Sequence, residues 1–390
     1  MKYTVILAVM LFVLSSAGAW SRVNPSLVPL TPQEQNIKAI LLDLVRNEDE
    51  AILCGQTGRL RGVFLPGAGS AQDALHQAIE REEFLKSWAR ARRLKITAAT
   101  VSVRTPHITF LSPNRVQVSG VVSEDYIYHY AGERAHYHFG LGIRHEYALQ
   151  RHHNVWYIRS DDFTDPLDQD TRIPRAAKPA EGRQAHFPRI PLGPQNDGAA
   201  HAVSYADRYC GAAPGCGNHG FYNAAYNSYN GEGGDCTNFI SQALKAAGFR
   251  ETPMWSYDRL TGEGDRAWSN AQGLADFLSE SGRATLIARG RYPVITQSTA
   301  QFPHGAVGAL RPGDLISYVE RGRAVHTAIV VGYDPHGVPV VDSHTSDRFH
   351  VPWDLGWDQR TRYSLWHVHY PSSEPPGTSP SPANNHRRNS

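Results

Sequence analysis

Gly233-Gly234-Asp235-Cys236-Thr237-Asn238-Phe239-Ile240-Ser241-Gln242-Ala243-Leu244 is the stretch on which the reading of this 390-residue chain turns. Two glycines permit a sharp approach. Asp235 can cap a helix through its carboxylate, and Phe239, Ile240, Ala243, Leu244 and Ala247 keep one apolar stripe up to Gly248. Cys236 therefore opens a helix. A thiol there meets unpaired backbone N–H groups and the positive end of the helix dipole, and both favour the thiolate. A plainer reading stands beside that one: Cys236 precedes Phe239 on the same stripe, and cysteine often serves as a small buried apolar residue.

A cysteine nucleophile needs a base. Arg311-Pro312-Gly313-Asp314 reads as a turn and Leu315 to Tyr318 as a strand. Ala324 to Gly332, with His326 near its start, and Val338 to His344 read as the next two strands. Between them, Asp334-Pro335-His336-Gly337 has Asp, Pro and Gly where a type I turn with a bulge needs them, which pairs Asp334 with Val338. Counted outward, Val330 faces Asp342 and Ala328 faces His344, so His326, Asp342 and His344 share a face, with His344 the nearer to His326. A slip of one residue would turn both Asp342 and His344 to the opposite face.

A Cys-led helix followed by strands carrying histidine and a further polar residue resembles the NlpC-like and CHAP-like papain-fold cysteine amidases and peptidases. More closely, the chain resembles the bacterial "putative amidase domain" family from about Ala199 to Tyr370. The matching pieces come in order: the tyrosine-bearing helix around Val203 to Tyr209, Gly233 to Phe239, Met254 to Tyr257 with Ala267-Trp268, Pro312 to Ile316, His326 to Val331, and Ser343 to Arg348. The resemblance implies a papain-like domain that hydrolyses amides through a thioester acyl-enzyme. Cys236 would be the nucleophile, His326 the base and then the acid, and His344 the orienting residue, with Asp342 the other candidate for that place. Tyr229 is a candidate to help the Cys236 N–H hold an oxyanion, and Asp235 reads as a cap. Peptidoglycan or its peptides are the implied substrate. Two rivals are a non-catalytic wall-binding scaffold and an acyltransferase using the same thioester. Cys210 and Cys216, with the glycine-rich loop between and after them, depart from the family pattern.

The start of the chain has the character of a secretory signal peptide over residues 1–19: Lys2, an apolar run from Val5 to Leu14, and Ala17-Gly18-Ala19 before Trp20. A soluble exported protein, secreted or wall-associated, is the expectation, with no membrane span after cleavage. Four cysteines in such a chain allow three pairings. Cys210 and Cys216 are close enough for a local bridge, and with Cys236 kept free Cys54 is left alone. The charge of +2, with 19 neutral histidines, gives no strong basic field for nucleic acid.

Thr31-Pro32-Gln33-Glu34 is a helix start with a capping box, followed by Ile37, Ile40, Leu41, Leu44 and Val45 at helical spacing. A second helix follows from Ser70. After Arg93 the period becomes two, and Ile96–Val103, Arg115–Val122, Asp125–Tyr130, His136–Leu149 and Val155–Ile158 read as strands. Helices first and antiparallel strands after them make residues 20–160 an α+β domain, similar to the NTF2-like domains. His136, His138, His145, His152 and His153 fit no zinc spacing and read as a polar sheet face, so neither a metal nor a cofactor is expected. The proline-rich stretch 161–196 reads as a linker, 197–370 as the amidase-like domain and 371–390 as a disordered tail.

Overall fold

The computed structural model describes residues 29–163, 194 and 196–371, apart from the side chains of Thr105 and Pro106. The expected signal peptide, nearly all of the expected linker and the expected tail beyond Pro371 lie outside the described residues.

The chain is α+β, with one large antiparallel sheet. Its first half runs α1 Pro32–Cys54, α2 Thr57–Leu60, α3 Gly69–Arg92, β1 Leu94–Ser112, β2 Arg115–Tyr130, β3 Tyr137–His152 and β4 Val155–Phe163. The capping box is formed: Glu34 N–H donates to Thr31 Oγ1 at 3.3 Å and Thr31 N–H donates to Glu34 Oε2 at 2.7 Å. Ile37, Leu41, Leu44 and Val45 on α1 and Phe84, Leu85 and Trp88 on α3 are buried in a core that β1 to β4 complete. Residues 115–122 and 125–130, expected as two strands, form the single strand β2, paired with β3 along its length. β4 passes Ile158 and the expected linker start at Asp161, because Asp161, Asp162 and Phe163 pair with Tyr147, Glu146 and His145.

The second half runs α4 Asp197–Tyr209, α5 Cys236–Ala246, β5 Tyr257–Asp258, β6 Glu263–Gly264, α6 Arg266–Ser269, α7 Ala271–Glu280, β7 Ala284–Arg291 and α8 Tyr292–Ile295. It continues through β8 Leu315–Glu320, β9 Arg323–Tyr333, β10 Pro339–Ser343, β11 Asp347–Pro352 and β12 Arg362–Val368. The apolar stripe of α5 packs on one face of the sheet, where Phe239, Ile240, Ala243 and Leu244 meet Leu315, Ile329 and Val331. Each such large side chain contributes about 1.5–3 kcal/mol on burial. The other face carries a separate core of Ile316, Tyr318, Ala328, Val330, Trp353, Trp357 and Tyr363.

Both halves belong to one sheet, in the order β1-β2-β3-β11-β10-β9-β8-β12-β7, with β4 also paired to β3. The handover lies on β3. Gly140, Leu141 and Gly142 pair with Phe349, Arg348 and Asp347 of β11, and from His145 onward β3 pairs with β4 instead. A Cβ on Gly140 would stand 2.1 Å from the Pro214 carbonyl oxygen, so only glycine lets the loop after α4 lie against β3. Polar contacts cross the same join, an Arg144–Asp347 ion pair at 3.5 Å and His336 Nε2 at 2.7 Å from Glu133 Oε1.

The turn at Asp334 forms as the sequence predicts, with Asp334 N–H donating to the Val338 carbonyl at 2.8 Å and Gly337 N–H donating to the Asp334 carbonyl at 2.8 Å. The register does not survive beyond it. Val340 pairs with Gly332 but Val341 pairs with Val330, so Val331 is an extra, bulged residue and Asp342 faces Ile329 rather than Val330. That one-residue slip corrects the expected shared face. Asp342 and His344 lie on the α5 side, whereas His326 lies with Ala328 and Val330 on the other.

Candidate active site at the start of helix α5

Cys236 is the first residue of α5 and is buried. The sharp approach to it rests on Gly234, whose φ of +115° suits glycine and whose Cβ, if present, would come within 2.8 Å of Thr345 Oγ1. Thr345 Oγ1 accepts from Asp235 N–H at 2.9 Å and from Cys236 N–H at 3.2 Å. It takes two of the helix's unpaired donors. Thr345 does so with φ at +85°, a strained conformation for a β-branched residue.

Asp235 precedes the helix but does not cap it, for its side chain makes no capping hydrogen bond. Its Oδ1 accepts from Tyr229 N–H at 2.7 Å and from Asn238 Nδ2 at 2.9 Å, and its Oδ2 lies 2.6 Å from His344 Nδ1. The expected cap is therefore the partner of a histidine, because Thr345 already serves the backbone donors. His344 is almost wholly buried, with its ring stacked between Tyr222 at 3.7 Å and Phe239 at 4.1 Å. Its Nε2 lies 2.6 Å from the Tyr209 carbonyl oxygen. Both ring nitrogens thus face oxygen acceptors, and neither is left for the Cys236 sulfur in this arrangement.

His326, expected as the base, packs its ring against Tyr318 and Trp357 on the opposite face. Its Nε2 is buried without a hydrogen-bond partner among the described residues. Burial, with the Arg348 charge adding to it, pushes the imidazole down to about 3. Burial also pushes the Cys236 thiol up, although the Thr237 hydroxyl and the Thr327 backbone beside the sulfur oppose it. In this conformation burial opposes the expected thiolate more strongly than the hydrogen bonds beside the sulfur favour it. Among the described residues no hydrogen bond joins Cys236 Sγ to His326 or to His344.

The Tyr229 hydroxyl makes no hydrogen bond to the Cys236 N–H among the described residues. It accepts from Gly264 N–H at 2.7 Å and donates to the Gly262 carbonyl at 3.4 Å, so the expected oxyanion role has no support in its contacts. Asp342 is fully buried and accepts from His350 N–H at 2.8 Å. Cys210 and Cys216 form a disulfide at the end of α4, with Cα atoms 5.6 Å apart, while Cys54 is free and exposed and Cys236 free and buried. The five histidines weighed for metal between residues 136 and 153 supply no three-ligand cluster among the described residues.

Several residues of the site were not read from the sequence. Asn238 joins Asp235 to the Trp268 indole, whose Nε1 donates to Asn238 Oδ1 at 2.8 Å, and Ser241 receives the Trp255 indole N–H at 3.0 Å. Polar residues on the buried side of an otherwise apolar helix were the available signal. Arg144 of β3 donates to the Tyr222 hydroxyl at 2.6 Å, which brings the first half of the chain to the ring that stacks on His344.

This geometry falls inside a region that has relatives. Residues 196–366 match the family described as "Putative amidase domain". The matched segment contains α5, His326 and His344. The uncharacterized protein YhbB of Bacillus subtilis (strain 168) is 28% identical over 186 residues, 43% of this chain and 49% of that protein, so the chain spans about half the length of this relative. Among solved structures, the intermembrane space region of chloroplast protein ARC6 aligns with 35% of this chain and 98% of its own, at 12% identity and a TM-score of 0.25. An NTF-2 like protein of unknown function from Shewanella oneidensis MR-1 aligns with 33% of this chain and 98% of its own, at 12% identity and a TM-score of 0.22. Scores this low place neither fold on this chain. Among the described residues no helix is long and apolar enough to cross a membrane.

Proposed function

We propose that the amidase-domain half is a cysteine-dependent amide hydrolase on a papain-like fold, with Cys236 as nucleophile. The observation that carries the reading is the place of Cys236 as first residue of α5, beside a histidine–carboxylate pair, within the segment that matches the amidase family. The thiolate attacks the amide carbonyl, the amine leaves with a proton, and water hydrolyses the thioester. His344 is the histidine that accepts and returns the proton, and Asp235 orients it. This replaces the assignment of the base to His326, whose ring is on the other face. Two movements bring the site into action: His344 Nε2 leaves the Tyr209 carbonyl, and Thr345 Oγ1 yields the Cys236 N–H to the oxyanion. The helix dipole then acts on an exposed sulfur.

Export, action on peptidoglycan or its peptides, and an NTF2-like first domain complete the proposal. The signal-like residues 1–19 and the family resemblance support the first two. A second reading, a wall-binding protein on the same scaffold, is favoured by the burial of the Cys236 thiol. Incubating the full chain with purified cell wall and identifying products by mass spectrometry separates them. New amine and carboxyl ends that vanish with Cys236→Ala are expected. Wall binding without products would establish the scaffold.

A further inference from the structure

Beside the His344 contact lies a second group of side chains that the amidase reading does not use. Asp207 is in the last turn of α4, Asp342 in β10 and His350 in β11, and one ligand atom from each lies within 4.8 Å of the others. Asp342 is completely buried. Its Oδ1 is taken by His350 N–H at 2.8 Å, and its Oδ2 receives no hydrogen bond among the described residues. His350 Nε2 stands 3.0 Å from Asp207 Oδ1. Two donors bound to one cation at about 2.0–2.2 Å each stand about 3 Å apart when they are neighbours in its shell. The Asp207 and His350 side chains are each 40% exposed, which leaves a way in from solvent and room for water ligands.

We propose that Asp207, Asp342 and His350 form a divalent-cation site that ties the end of α4 to β10 and β11. Two carboxylates face a single imidazole here, and a buried carboxylate oxygen without a donor requires either a shared proton or a cation. One imidazole nitrogen with two carboxylate oxygens suits zinc or manganese better than calcium or magnesium, which favour oxygen alone. The site is structural. Tyr209 and His344, two residues beyond Asp207 and Asp342, touch one another, so the cation holds the segments that position His344.

The test uses the full chain without a histidine tag, stripped with chelator and titrated with Zn2+ by calorimetry, with metal content measured after dialysis. One zinc per chain is expected. Binding should weaken by about a hundredfold or more in both Asp342→Asn and His350→Ala, and remain unchanged in His76→Ala, an exposed histidine elsewhere. Cobalt loading should give visible absorption bands that both site variants lose. Because His350 is partly exposed, its variant is expected to keep the wild-type circular dichroism, so loss of binding there reports on ligation. No saturable binding below about 100 µM Zn2+ would overturn the site and leave the shared proton. Equal binding in wild type and both variants would overturn it too, by placing the zinc on other histidines.

Discussion

The two faces of β9 and β10 each bury a histidine, and they treat it in opposite ways. On the α5 face, His344 has an acceptor at each nitrogen and an aromatic ring on each side. On the other face, His326 has aromatic neighbours, an Arg348 charge nearby and an Nε2 with no hydrogen-bond partner among the described residues. The first surroundings give the ring two oxygen partners, whereas in the second, burial and the Arg348 charge exclude a proton. Burial alone does not decide what a histidine does, since both are less than a tenth exposed; the oxygen atoms around it decide.

The largest expected effect breaks this comparison in one measurement. Cys236→Ala should abolish amide hydrolysis, and His344→Gln should lower it by about a thousandfold, while His326→Leu should cost less than about tenfold. Glutamine keeps a polar group beside Asp235, which guards against the loss of about 3–5 kcal/mol that an unpaired buried carboxylate brings. Circular dichroism of each variant separates activity from folding. The reverse order would return the base to His326 and require the register at Val331 to shift during turnover.

A second effect concerns the thiols. Iodoacetamide should label exposed Cys54 well before buried Cys236 in the free protein. Thr345→Gly removes both the hydroxyl that occupies the helix start and the strained φ, and should speed Cys236 labelling by about tenfold. Faster labelling of Cys236 than of Cys54 in the unaltered protein would show that the start of α5 opens without help.

What the sequence made legible follows from where its patterns carry phase. The α5 stripe is amphipathic and bounded by glycine, so Cys236 could be set at the helix start. Asp334, Pro335 and Gly337 each have one conformational job, so the turn could be set as well. The bulge could not, because Ile329, Val330 and Val331 are buried on both faces and a run without alternation fixes no register. The two histidines were consequently put on one face. The join of β3 to β11 was hidden for a different reason: Gly140 and Gly142 reveal a close backbone approach only when Pro214 and Ala212 are known to lie there. Thr345 was invisible as a helix cap because it lies more than a hundred residues from the helix it serves.

Two buried groups, one in each half, should also differ in how acid and base act on stability. His326 is held at about 3 in the folded protein and returns to 6.5 when unfolded. Between those values the unfolded chain binds the additional proton, so stability falls as pH falls below 6.5, by up to about 1.4 kcal/mol per unit. His326→Leu should remove that contribution, read as the difference from the unaltered protein in urea titrations from pH 4 to 6.5. Buried Glu48 in the first half acts in the other sense. Its carboxyl is pushed up to about 7, first by burial and then by Asp161, so the stability it contributes below 4.5 is lost as pH rises through about 7. The two contributions oppose each other between 4.5 and 6.5, so Glu48→Gln should steepen the rise of stability with pH that His326 causes there. An unchanged acid slope in His326→Leu would mean that the ring is wet.

The smallest expected effect tests whether the α5 face holds His344 by its ring stack or by the polar groups behind the stack. The Tyr222 hydroxyl accepts from Arg144 at 2.6 Å and from Asn230 Nδ2 at 3.0 Å, and donates to Asp347 Oδ1. Tyr222→Phe removes these bonds but keeps the ring on His344. Arg144 and Asp347 still face each other at 3.5 Å, so no charge is stranded. The loss should be about 1 kcal/mol in denaturant unfolding, with turnover within about threefold of the unaltered protein. Tyr222→Ala removes the stack as well and should lower turnover further by freeing the His344 ring. If Tyr222→Phe loses as much turnover as Tyr222→Ala, the hydroxyl and not the ring positions His344. The first half of the chain would then act on the site through Arg144.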